Sequence, residues 1–250
     1  MIEVFTRTYS KTGVHGRVVH GVGRDIVSGL FKPGDRLPSE VEFTLQYRGS
    51  RTVIREAFRV LSAKGLLVAR QRSGTSVRSK KYWNLLDPDI LAWQKPGNIA
   101  LEALKNMLEI RECVEPMAAR LVSERASLSE IFSLEEICRL MERAVGDGDN
   151  RRVFELELSF HNALFECCHN DFLKRMRDIV QAVLLHSQSQ RAACRELLPG
   201  MVPAHMSLVE KIRMRDEEAA ESEARTLVSR TSRALLLMPG KAEMSHNAVA

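Results

Sequence analysis

Residues 37–77 read LPSEVEFTLQYRGSRTVIREAFRVLSAKGLLVARQRSGTSV. Ser39 stands ahead of an apolar run with Glu42 three residues on, the pattern of a reciprocal helix cap. A short helix therefore opens there and runs to about Tyr47, where Arg48-Gly49 stops it. Ser50 caps the next helix. Within it Ile54, Ala57, Phe58 and Leu61 repeat at helical spacing and form a core-facing stripe. Gly65 is placed to end it in the left-handed conformation that glycine adopts most cheaply. Leu67 to Ala69 and Thr75 to Val77 then read as two short strands around a turn at Arg72-Ser73-Gly74. Upstream, Val14, Val18, Val22, Ile26 and Leu30 lie four apart on one helical stripe, ended by Lys32-Pro33-Gly34. Helix, helix, turn, helix and hairpin in this order predict a winged helix-turn-helix with its core at 14–78.

Such a module enters a major groove with the start of its second paired helix. Ser50, Arg51, Thr52 and Arg55 occupy that start. Arg51 and Arg55 share a face, and each can fork onto guanine or onto phosphate. Gln71, Arg72 and Gly74 mark the wing, which can reach a minor groove or the backbone. Charge agrees with this assignment. Residues 1–80 hold 15 Lys and Arg against 6 Asp and Glu, a net of +9, and the remaining 170 residues hold 22 against 26, a net of −4. A basic module joined to a mildly acidic body suits a polyanion partner.

After this module the sequence reading sets a linker at 81–97, in which Pro88 and Pro96-Gly97 leave room for at most a short helix at Asp89 to Trp93. From there to 238 the pattern is helical, with helices at about 99–125, 128–146, 150–169, 171–196, 203–214 and 216–237. The expected architecture is mainly α: a winged helix-turn-helix at 1–80 followed by an antiparallel all-helical bundle at 98–238. The tail from Pro239 is expected to fray. No stretch approaches a membrane span and the first residues carry no apolar leader, so a cytoplasmic protein without a membrane partner is expected. The five cysteines form no C-x-x-C pair, which argues against a zinc knuckle or redox motif.

Within the helical half, Glu157 and His161 are four apart and so neighbours on one helix face. A carboxylate and an imidazole so placed can supply two ligands to a divalent metal, and His205 can supply a third. An ordinary surface contact explains the same spacing. No nucleophile–base pair or phosphate loop accompanies them, so an enzyme is not expected.

The segment 37–67 together with RSGTSV resembles the GntR family of bacterial regulators, and the helices after it resemble the FCD effector domain of the FadR subgroup. The resemblance implies that Arg51, Thr52, Arg55 and the wing contact operator DNA. It also implies a metal site, zinc or a similar divalent ion, on Glu157, His161 and His205. It picks out Arg111 of IRECVEP as the group that binds an effector carboxylate; an ion pair with Glu115 explains that residue equally well. Two departures stand out. Val41 occupies the place where the family usually has an arginine after Ser-Glu, and Leu227 falls where a further histidine ligand is usual. The stretch YWNLLDPDILAWQ and the run from His205 through Ile212, Asp216, Ala219 and Ala220 resemble members that act on sugar-acid (galactonate) catabolism. A homodimeric repressor on a palindromic operator, released by a small carboxylate such as a sugar acid, is therefore expected. The competing readings are a metal-free regulator that binds a fatty-acid or acyl ligand, and a helical metal-dependent enzyme fused to a DNA-binding domain.

Overall fold

The computed structural model describes residues 12–70, 74–94, 99–191 and 200–237. Gln71, Arg72, Cys194, the predicted helix end at 192–196 and the tail from Pro239 lie outside them. The chain divides into two compact units between residues 95 and 96.

The first unit comprises α1 (Gly13–Val27), α2 (Glu40–Tyr47), α3 (Arg51–Ala63), β1 (Leu67–Arg70), β2 (Gly74–Val77), a 3-10 turn at Lys80–Tyr82 and α4 (Pro88–Trp93). The predicted cap is present: Ser39 N donates to Glu42 Oε2 at 2.6 Å and Glu42 N to Ser39 Oγ at 3.3 Å. Ser50 Oγ likewise accepts from Val53 N at 3.3 Å. Val18, Val22 and Ile26 of α1 pack with Ile54, Ala57, Phe58 and Leu61 of α3 in one core. The α1 stripe stops short of its predicted end. The helix closes at Val27, Gly29 turns the chain at φ +83, and Leu30 is left 69% exposed.

β1 and β2 are antiparallel, with Leu67 opposite Val77 and Arg70 opposite Gly74. Residues 35–37 add a third rung, since Leu37 N donates to Thr75 O and Val77 N to Asp35 O, both at 2.9 Å.

The segment that the sequence reading set aside as a linker packs onto this unit. Trp83, Ile90 and Trp93 join its core. Asp87 caps α4 ahead of Pro88, and its carboxylate lies 2.8 Å from Lys64 Nζ, with that of Asp89 at 2.7 Å. Trp93 Nε1 donates to His20 Nδ1 at 3.0 Å. The sequence pattern allows the short helix but not its packing, because so short an element, set between prolines, carries no stripe long enough to assign it to a core.

The second unit is wholly helical: α5 (Leu101–Arg125), α6 (Leu128–Gly146), α7 (Asn150–Cys167), α8 (Asp171–Arg191), α9 (Met201–Arg213) and α10 (Glu217–Leu237). Ser127 and Glu130 form a second reciprocal cap at the start of α6. α5 is central, packing against α7, α8, α9 and α10. Arg215, at φ +60, closes the α9–α10 turn and donates to Ser123 O at 2.8 Å and Ala126 O at 2.5 Å, which ties that turn to the end of α5. α9 begins at Met201, two residues ahead of the sequence reading. Pro203 does not block it, because the N–H groups of a first helical turn have no intrahelical partner to lose. Cys138, Cys167 and Cys168 are buried as free thiols, while Cys113 is exposed. Among the described residues no helix is long and apolar enough to cross a membrane.

Gly65 gives a direct test of how the first unit closes. It sits at φ +80, and a Cβ there would lie 2.0 Å from the Tyr82 carbonyl oxygen. Gly65→Ala is expected to cost about 3 kcal/mol of unfolding free energy in urea titration, from the strained φ plus the displaced backbone. A cost below about 1 kcal/mol would show that the contact yields freely.

Candidate DNA-reading surface and effector site

On the first unit α3 presents the residues singled out for DNA. Arg51, Thr52 and Arg55 are exposed on its first turn and a half, while its buried stripe is the predicted one. Arg55 is not idle: its Nε lies 2.8 Å from Glu40 Oε2 of α2. That pair holds the side chain across the two helices of the motif, and at 63% and 35% exposure it stays open to exchange with a phosphate or a base. Gly74 opens β2 at φ +77, a conformation that suits glycine at the end of a hairpin turn.

In the second unit three helices bring the predicted effector residues together. Arg111 of α5 is fully buried, as are Glu157 and His161 of α7 and His205 of α9. Arg111 Nε donates to Glu115 one turn further along α5. Its Nη2 lies 3.3 Å from His161 Nε2. A guanidinium has donors only, so that imidazole nitrogen must present its lone pair to it. The other nitrogen, His161 Nδ1, is 2.7 Å from Glu115 Oε2, an ion-pair distance off the axis of a hydrogen bond. His205 Nδ1 lies 2.8 Å from the Met201 carbonyl oxygen, to which it can only donate, so its Nε2 carries a lone pair. That nitrogen is buried without a hydrogen-bond partner, and so is Arg111 Nη1. The His161 and His205 rings meet edge-on at 5.6 Å between centroids, and Phe160 lies edge-on to His205 at 4.7 Å.

The ion pair with Glu115 is thus present, and Arg111 is also turned inward. The i, i+4 spacing gives the Glu115 pair from sequence; the contact of both groups with His161, 50 residues further on from Arg111, has no sequence signal. His205 lies in the second turn of α9, on the buried face that it shares with Met201, Leu208 and Ile212. Leu227 is buried on α10 and offers no ligand atom. Among the described residues no three His, Cys, Asp or Glu side chains are grouped to hold a metal ion.

The electrostatics follow from burial. Desolvation raises Glu115, but Arg111 and then His161 outweigh it and hold the carboxyl down at about 2. Burial lowers His205 to about 4, helped by His161 and opposed by the Glu157 carboxylate. The site therefore presents a fixed anion, a fixed cation and a neutral imidazole.

Residues 15–77 match the model of the bacterial regulatory proteins of the gntR family, and residues 106–230 match the FCD domain. The galactonate operon transcriptional repressor of Escherichia coli is 31% identical over 226 residues, covering 88% of this chain and 95% of that protein. The chain belongs to the GntR family. As a GntR regulator it carries the family's DNA-binding domain ahead of an FCD domain. The Uxu operon transcriptional regulator of E. coli is 28% identical over 149 residues, 59% of this chain and 56% of that one. Among solved structures Lar, which controls the expression of the Listeria monocytogenes agr system, matches with a TM-score of 0.61 at 15% identity. That match covers 92% of this GntR chain and 100% of Lar and bears on the fold alone.

His205 binds its proton more weakly folded than unfolded, so its contribution to stability is complete above the ordinary imidazole value of 6.5. As pH falls from there to about 4 the unfolded chain takes up a proton that the folded chain refuses, and stability drops by about 3 kcal/mol from this group. Glu115 adds a further loss only below its ordinary value of 4.5, down towards about 2. Urea unfolding in EDTA at about pH 7 and about pH 4.5 checks this. Equal losses in the parent protein and in His205→Phe would assign the effect to another group.

Proposed function

We propose that this GntR regulator is a repressor of sugar-acid catabolism whose operator binding is released by a small carboxylate held at Arg111. The observation that carries the reading is a fully buried guanidinium whose Nη1 has no hydrogen-bond partner. Leaving such a donor unsatisfied in a closed interior is costly, and a carboxylate oxygen satisfies it with a charge-assisted bond. His205 Nε2, an acceptor with no donor opposite, suits a hydroxyl group of the same ligand. A hydroxy acid supplies both. The likeness to the galactonate and Uxu operon regulators points to the same chemical class.

The protein acts as a homodimer on a palindromic operator, placing the two α3 helices in successive major grooves, with Ser50, Arg51, Thr52, Arg55 and the wing residues Gln71, Arg72 and Gly74 at the DNA. Effector binding changes operator affinity only as far as the ligand prefers one arrangement of the protein over another.

A second reading places a divalent metal, zinc or similar, on Glu157, His161 and His205. His205 favours it, since an imidazole that donates through one nitrogen to a carbonyl and presents the other bare is the usual form of a ligating histidine. His161 does not fit as it stands, because its Nε2 lone pair faces Arg111.

A thermal-shift screen of galactonate and other sugar acids, with and without EDTA, tests both readings. A saturating effector is expected to raise the melting temperature by several degrees, since a ligand at a hundred times its Kd adds about 2.7 kcal/mol. The shift should vanish in Arg111→Gln, and also in Arg111→Gln with Glu115→Gln, which avoids leaving a buried unpaired carboxylate. Loss of the shift in EDTA supports the metal. A response to acyl chains and to no hydroxy acid would replace the proposal with an apolar effector, and turnover of the acid would replace it with an enzyme.

A further inference from the structure

On the third rung of the first unit's sheet, Arg36 lies opposite Ser76. Its neighbour Leu37 is buried, as are Leu67 and Val77. Residues alternate between faces along an extended strand, so Arg36 stands on the solvent face of the sheet, and it is exposed. Its guanidinium does not extend freely into water. It lies back across β2 onto Gly74, where an added Cβ would come within 3.1 Å of Nε and 3.2 Å of Nη2. The absent side chain at the first residue of β2 thus makes a seat for a planar cation beside the hairpin connection.

Several other arginines of this unit have partners. Arg55 is paired with Glu40, Arg24 donates to the His20 carbonyl oxygen and Arg78 stacks on Tyr82 at 4.1 Å. Arg36 has neither a hydrogen bond nor an ion pair among the described residues. A guanidinium restrained in orientation yet with its donors open is primed for an anion, since less side-chain freedom is lost when it binds. The unit's own charge, +9 over residues 1–80, points to a polyanion rather than to a single small anion.

We infer that Arg36 is a DNA-backbone contact of the wing, a phosphate clamp seated on Gly74 and separate from the α3 residues. The inference rests on reading this unit as the operator-binding domain.

The test is fluorescence anisotropy of the full chain with a mixed-sequence duplex of about 30 base pairs, titrated at several salt concentrations. A phosphate contact contributes equally to all sequences and adds about one unit to the slope of log affinity against log salt. Arg36→Ala is expected to weaken binding about five-fold at low salt and to lower that slope by about one. Arg36→Lys, which keeps the charge, is expected to retain most of the slope. Melting temperatures of both variants should match the parent, because the side chain is exposed. If Arg36→Ala binds like the parent while Arg51→Ala is weakened, the domain reading stands and the clamp is wrong. If Arg36→Lys is as weak as Arg36→Ala, Arg36 acts by packing and the clamp is again wrong. If the parent itself fails to bind the duplex, the domain reading falls and takes the clamp with it.

Discussion

The helical unit is organised around one requirement, that a guanidinium with no exposure to water be neutralised. Removing such a charge from solvent is costly unless a counter-ion and hydrogen-bond partners replace the water. Arg111 meets this with Glu115 on its own helix and with His161 from α7, so its solvation requires α5 and α7 to pack in a single register. The requirement then propagates. Glu115, held ionised, lies against His161 and completes a buried triad. His205, brought in by α9 beside these groups, can be buried only as the neutral ring. A hydrophobic interior of the same volume would be as stable or more so. The polar interior, with a donor and an acceptor left open, is the feature on which the proposed effector site rests.

The DNA-reading unit obeys a different constraint. Its α3 stripe and α1 stripe bury one another without polar cost, and the specificity of its closure lies at the edges. Lys64 joins Asp87 and Asp89, Trp93 reaches His20, and Gly23 makes room for the indole, since a Cβ there would lie 2.5 Å from it. These contacts weld residues 80–93 to the winged fold. Residues 94–100 separate α4 from α5 along the chain.

Much of this was legible in the chain. Ser39 with Glu42, Ser50 and Gly65 announce helix ends by local chemistry that does not depend on the rest of the fold, and each boundary lies within a residue or two of its expected place. The long helices of the second unit follow from periodicity for the same reason. Leu30 and the packing of α4 went the other way. Leu30 continues a perfect stripe, but a glycine at positive φ ends the helix before reaching it, and the short helix allowed at Asp89 to Trp93 carries no sequence signal of the core it joins.

The sequence by itself determined the fold class, the order of elements and the residue types available for binding, because caps, periodicity and turn chemistry act between neighbours along the chain. Only the tertiary structure decided how those residues meet. That Arg111 meets His161 as well as Glu115, that His205 lies buried against His161, and that Arg36 rests on Gly74 are facts about residues from different helices or different strands. They arise when helices and strands pack, and desolvation then forces each polar group to find a partner or to be left open for a ligand.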